Sequence, residues 1–190
     1  MAQNDLPARE SETSVETIAA RLEATDAVPV ANVILETSDD DIVRQCGRSA
    51  TALAAVRIAW RRTQRGEIDR EDACSRLAGD VELDLATVAH AEAMLEYSIC
   101  SPAPDEEIRA LRRAIVAGHE ILAAIENDRA NGPRLSGSVF ADVDPSLAAL
   151  ATLPLDRIDE AELRAHLQRL EADLEMARLG VELYAAVHEE

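Results

Sequence analysis

The chain has 190 residues, 47% of them apolar and only 2% aromatic, and 37 acids against 19 bases give a formal net charge of −18. So few aromatics leave the core to Ala, Leu, Val and Ile, which suit packed helices better than a sheet, and an all-α fold is expected. No uncharged apolar run approaches the ~18 residues of a bilayer-spanning helix, so no membrane span is expected.

All 19 bases are arginine. A lysine-free, strongly acidic chain suits a salt-adapted cytoplasm, where concentrated ions screen the repulsion between surface acids. An acidic bacterium of high GC content is the alternative source. Cys46, Cys74 and Cys100 are odd in number and lack Cys-x-x-Cys spacing, as expected of reduced thiols in the cytoplasm. No His joins them in a ligand pattern, so neither metal nor cofactor is expected.

Residues 1–12 are polar and acidic without an apolar stretch, which reads as a disordered tail and not as a signal peptide. From 13 to 130 a helical domain is expected. Ser14 or Thr13 caps a short helix to about Ala24, with Ile18, Ala19 and Leu22 on one face. Thr25 to Glu36 holds Pro29 and several β-branched residues and reads as a connector.

Ser38 is then the expected N-cap of a helix whose first turn carries Asp39, Asp40 and Asp41, where negative charge suits the helix dipole. Gly47 interrupts it, Ser49 offers a fresh cap, and a second helix runs to about Arg65, closed by Gly66. Residues 39–65 thus have the outline of a helix-turn-helix, with Ile42, Val43, Cys46, Leu53 and Val56 facing inward. From Ile42 to Gly66 this stretch holds six arginines and no acid, a reversal of the sign of the whole chain.

Beyond it, a second helical pair is expected at about Asp69–Ala78 and Leu85–Ile99; Glu92 and Glu96 would make its second face repel phosphate. Asp105-Glu106-Glu107 open a helix to about Asp128, on which Arg109, Arg112 and Arg113 lie close together. Residues 131–158, rich in Gly, Pro, Ser and Asp, read as a linker with one helical turn at Ser146–Leu150. The last segment, 159–188, carries Leu163, Leu167, Leu170 and Leu174 at zipper-like spacing, continued by Val181 and Tyr184. These six are candidate dimerisation residues, with packing inside the chain as the alternative.

An arginine island can neutralise DNA phosphates and release counterions. On that reading Arg57, Arg61, Arg62 and Arg65 contact phosphate, while Arg48, Ser49 and Thr51 reach base edges in the major groove. The alternative is that these arginines pair with acids elsewhere in the chain. Trp60 reads as a core anchor. There is no Gly-x-x-x-x-Gly-Lys, Gly-x-Gly-x-x-Gly or His-Glu-x-x-His motif, and His90, His119, His166 and His188 are scattered, so no enzyme is expected.

The turn Gly47-Arg48-Ser49 leading into an arginine-rich helix resembles the helix-turn-helix of prokaryotic transcription regulators, over about 28 residues of 190. The wider layout, with an arginine-rich middle and a leucine-spaced end, is similar to haloarchaeal gas-vesicle transcriptional activators. The resemblance implies an activator of transcription that binds duplex DNA, with a homodimer or a regulatory protein as further partner. The competing expectation is a non-enzymatic helical adaptor whose arginine island docks on an acidic protein.

Overall fold

The first helix begins where Ser14 turns its hydroxyl onto the Thr17 amide at 3.3 Å, filling the orphan donor left by a helix start. The structure, a computed structural model, describes residues 14–63, 78–79, 83–129, 131–135 and 145–189. The expected tail at 1–12, most of the helix at 69–78, Cys74 and Arg65 lie outside the described residues. In chain order the elements are α1 (Val15–Arg21), a 3-10 turn (Thr25–Ala27), α2 (Val28–Thr37), α3 (Asp40–Cys46), α4 (Arg48–Thr63), α5 (Leu85–Ser98), α6 (Asp105–Glu126), α7 (Pro145–Leu150), a second 3-10 turn (Leu155–Arg157), α8 (Glu160–Leu179) and α9 (Val181–His188). Among the described residues no strand occurs, so the protein is all-α.

The chain divides into two compact units. One comprises Met1–Pro102 with Leu179–Glu190, the other Ala103–Arg178. This division departs from the expected one at 130 and 158, because α6 shares its core with α7 and α8.

In the first unit α4 is the central element, with α1, α2, α3 and α5 packed around it. Its Ala50, Thr51, Ala52, Leu53, Ala54, Ala55, Val56, Ile58, Ala59 and Arg62 are all buried, which leaves it almost no outer face. A helix covered over most of its surface belongs in the middle of a bundle. The alanines let neighbouring helices come close, and Leu53 and Ile58 fill the gaps, each stabilising by about 1.5–3 kcal/mol.

Three local expectations change. Thr25–Glu36 is no connector: Val28–Thr37 is helical, with Pro29 in the first turn, where its missing N–H costs no helical bond. Val30, Ala31 and Ile34 of α2 are buried in the core of this unit, and that burial outweighs the β-branched composition. Asp39, not Ser38, caps α3 and accepts from the Asp41 amide at 3.0 Å, while Ser38 donates to the Leu35 carbonyl and closes α2. Gly47 alone parts α3 from α4, at φ 81° and ψ 151°, so Ser49 lies in the first turn of α4 and is not its cap.

The second unit is built on the apolar stripe of α6. Ala114, Ala117 and Ile121 pack with Leu147, Ile158, Leu163, Leu167 and Leu170. Gly118 supplies the close approach, since a Cβ there would stand 2.6 Å from Leu167 Cδ2. The expected single helix over 159–188 is broken by Gly180 at φ 84°, and α9 then packs on α2 in the first unit.

Candidate functional site

The arginine island is spread around α4 and mostly consumed by its own unit. α4 places Arg57 and Arg61 one turn apart, and α5 places Glu92 and Glu96 one turn apart opposite them. Arg61 Nη2 lies 2.7 Å from Glu92 Oε1 and 2.8 Å from Glu96 Oε1. Only the second contact has hydrogen-bond alignment; Glu92 Oε1 is buried and held by charge alone, with Arg57 Nε a further 3.6 Å away. Glu92 is 7% exposed, so removing either sign would strand the other in a poorly solvated place.

Arg62 points the other way, into the core, and is 9% exposed. Its Nη1 donates to the Leu179 carbonyl at 2.6 Å and to the Cys100 carbonyl at 2.9 Å. Burial lowers its pKa, Glu96 opposes that shift, and a guanidinium stays charged at any ordinary pH. Beside it Gly180 allows the chain to pass within reach of the Cys100 and Ser101 carbonyls, each 3.1 Å from where a Cβ would stand. The Cys100 thiol is raised above the usual range, first by its hydrogen bond to the Glu182 carboxylate and then by burial.

The expected DNA-facing residues are therefore not brought together. Thr51 is 1% exposed and its hydroxyl donates to the Gly47 carbonyl at 2.9 Å, so it cannot reach a base edge in this fold. Arg62 cannot reach phosphate for the same reason, and Arg57 is half-buried. Arg61 is exposed but engaged by two carboxylates. Arg48 is exposed and Ser49 half-buried at the start of α4, and they alone of the described set remain open to solvent without such a partner. Glu92, Glu96, Cys100 and Leu179 are the partners that sequence reasoning missed. One signal was present: Glu92 and Glu96 repeat the four-residue spacing of Arg57 and Arg61.

The candidate dimerisation residues also part company. Leu163, Leu167 and Leu170 are buried in the second unit's core, and Leu174 is half-buried. Tyr184 packs against the first unit's core, and Val181 is 65% exposed. They do not form one seam, because Gly180 interrupts the helix that would carry it. Their spacing reports packing within the chain.

No group of His, Cys, Asp and Glu able to hold a metal occurs among the described residues. The histidines are dispersed: His90 is exposed, His119 meets Glu171 at 3.1 Å, and His188 lies against Tyr184 with ring centroids 4.4 Å apart. Among the described residues no helix is long and apolar enough to cross a membrane. The fold and these contacts define an all-helical protein of two units. No family model, curated protein or solved structure matches this chain.

Proposed function

We propose that this protein is a non-enzymatic helical adaptor that docks on an acidic protein partner. The observation that carries the reading is the placement of α4. The helix expected to enter a DNA groove is the centre of a bundle, and Arg57, Arg61 and Arg62 meet carboxylates and carbonyls of their own unit. The island's charge is thus largely neutralised before any partner arrives, and arginines elsewhere are left to do the docking. A transcription regulator is the second reading, supported by Arg48 and Ser49 alone of the described DNA-facing set. Such a surface would grip few phosphates and discriminate bases weakly.

Titration of the full chain with mixed-sequence duplex DNA over a range of salt tests the choice. The adaptor reading expects no binding above the level of an unrelated acidic protein. Binding whose logarithm falls with log salt at a slope of several phosphates would overturn it and restore the regulator.

A further inference from the structure

The arginines of α6 differ from the rest. Three exposed arginines on the described helices meet an acid: Arg44 pairs with Asp41, Arg61 with Glu96, and Arg164 with both Glu126 and Glu160. Arg109, Arg112 and Arg113 lie on one exposed face of α6, spaced i, i+3 and i+4. Arg109 donates through Nε to the Asp105 carbonyl; among the described residues Arg112 and Arg113 have no hydrogen-bond or ion-pair partner. Like charges at this spacing oppose helix formation by a few tenths of a kcal/mol per pair. In a chain with 37 acids this repulsion is left unrelieved. Among the described residues Arg21, Arg48, Arg157 and Arg169 also stand without a partner, but no two of them share a helix face at such spacing.

The next position along the face is Val116, which is 55% exposed. It follows Arg112 by four residues and Arg113 by three, so an apolar contact sits beside two free guanidinium forks. A phosphate backbone has no apolar group to set on the valine. A short protein segment carrying carboxylates around an apolar side chain satisfies both halves of the surface, with the carboxylates accepting from the guanidinium groups.

We infer that Arg109, Arg112, Arg113 and Val116 of α6 form the docking face for an acidic, partly apolar peptide segment of a partner protein. The inference rests on the adaptor reading and gives that reading its surface.

The test uses the full chain and a fluorescein-labelled amphipathic peptide of Glu and Leu, followed by fluorescence anisotropy, with the Gln-for-Glu peptide and a labelled mixed-sequence duplex as comparators. Arg112→Gln with Arg113→Gln should weaken binding of the Glu peptide by roughly two- to thirtyfold, the sum of two exposed ion pairs. Val116→Asp should weaken it as well, whereas Arg21→Gln with Arg157→Gln should leave it unchanged. All these residues except the valine are exposed arginines, so circular dichroism of each variant should match the parent. Glu-peptide binding that ignores the Arg112/Arg113 change, or falls equally in the control, overturns the docking face and leaves the adaptor reading standing. No binding of the Glu peptide, or equal binding of the Gln peptide, also overturns the face. Duplex binding that is tighter than peptide binding and lost with Arg112 and Arg113 overturns both.

Discussion

Arg62 donates to the carbonyl of Leu179 at 2.6 Å, a bond between positions 117 residues apart, and the same nitrogen reaches the Cys100 carbonyl at 2.9 Å. Cys100 and Leu179 lie next to the two places where the chain passes between its units, at Pro102–Ala103 and Arg178–Leu179. One guanidinium thus pins both ends of the chain that belongs to the first unit, and this is what the most buried of the island's described arginines does.

Replacing Arg62 with Met should therefore unfold the first unit more readily, by about 2–4 kcal/mol, because a buried and a partly buried carbonyl lose a charged donor. The same change at Arg61, which is 47% exposed, should cost below about 1 kcal/mol. Urea denaturation of the two variants measures the difference, and equal costs would deny Arg62 its role as a clamp.

That contrast explains why the island was only half legible in the sequence. The run from Ser49 to Val56 has no charge, and a helix without a polar face is a buried helix, so the central place of α4 could have been seen from the alanines. The direction of Arg62 could not, because its acceptors are backbone carbonyls, which every residue has. For α2, Pro29 and the β-branched residues argued against a helix, and contact with α4 overrode that weak propensity. The leucine spacing of α8 was real, but periodicity cannot distinguish a partner helix in another chain from α6 in the same one.

Glu92 and Glu96 should differ although both meet Arg61. Glu92→Gln removes the negative charge held between Arg57 and Arg61 in a buried place and should cost about 1–3 kcal/mol. Glu96 is 51% exposed, and Glu96→Gln should cost below about 1 kcal/mol. A double-mutant cycle with Arg61→Met assigns the coupling; a larger coupling to Glu96 would contradict the burial argument.

Gly47 and Gly180 share one backbone conformation, φ 81° with ψ 151° and φ 84° with ψ 148°, in a region that is almost exclusive to glycine. Around Gly47 a Cβ would meet nothing within 4 Å, whereas at Gly180 it would crowd the Cys100 and Ser101 carbonyls. Gly47→Ala should cost about 1–3 kcal/mol from strain alone. Gly180→Ala should cost more, and thermal melts of the pair isolate the crowding as their difference.

Leu167 tests the origin of the leucine spacing. Leu167→Ala should destabilise by about 2–5 kcal/mol through a cavity against Gly118 and Leu147. Sedimentation of the variant under native conditions should match that of the parent. A change of association state without loss of stability would return these leucines to an interface between copies.

Cys100 offers a test by pH. Its thiol donates toward the Glu182 carboxylate, and losing the proton would set two negative groups side by side, so the folded thiol titrates above the usual range. The sign follows: a group whose folded pKa is raised stabilises the fold below the ordinary thiol pKa, and that contribution disappears as pH rises through the raised one. The thiolate is the reactive form, so alkylation of Cys100, read by mass spectrometry of its own peptide in the intact chain, should begin at higher pH than for a free cysteine. Glu182→Gln removes the acceptor charge and should move the onset down, speeding alkylation severalfold near pH 8, by roughly the change in thiolate fraction. An onset that Glu182→Gln leaves in place would assign the slow reaction to burial alone, and then Cys100 would report the opening of the Arg62 clamp instead of its local charge.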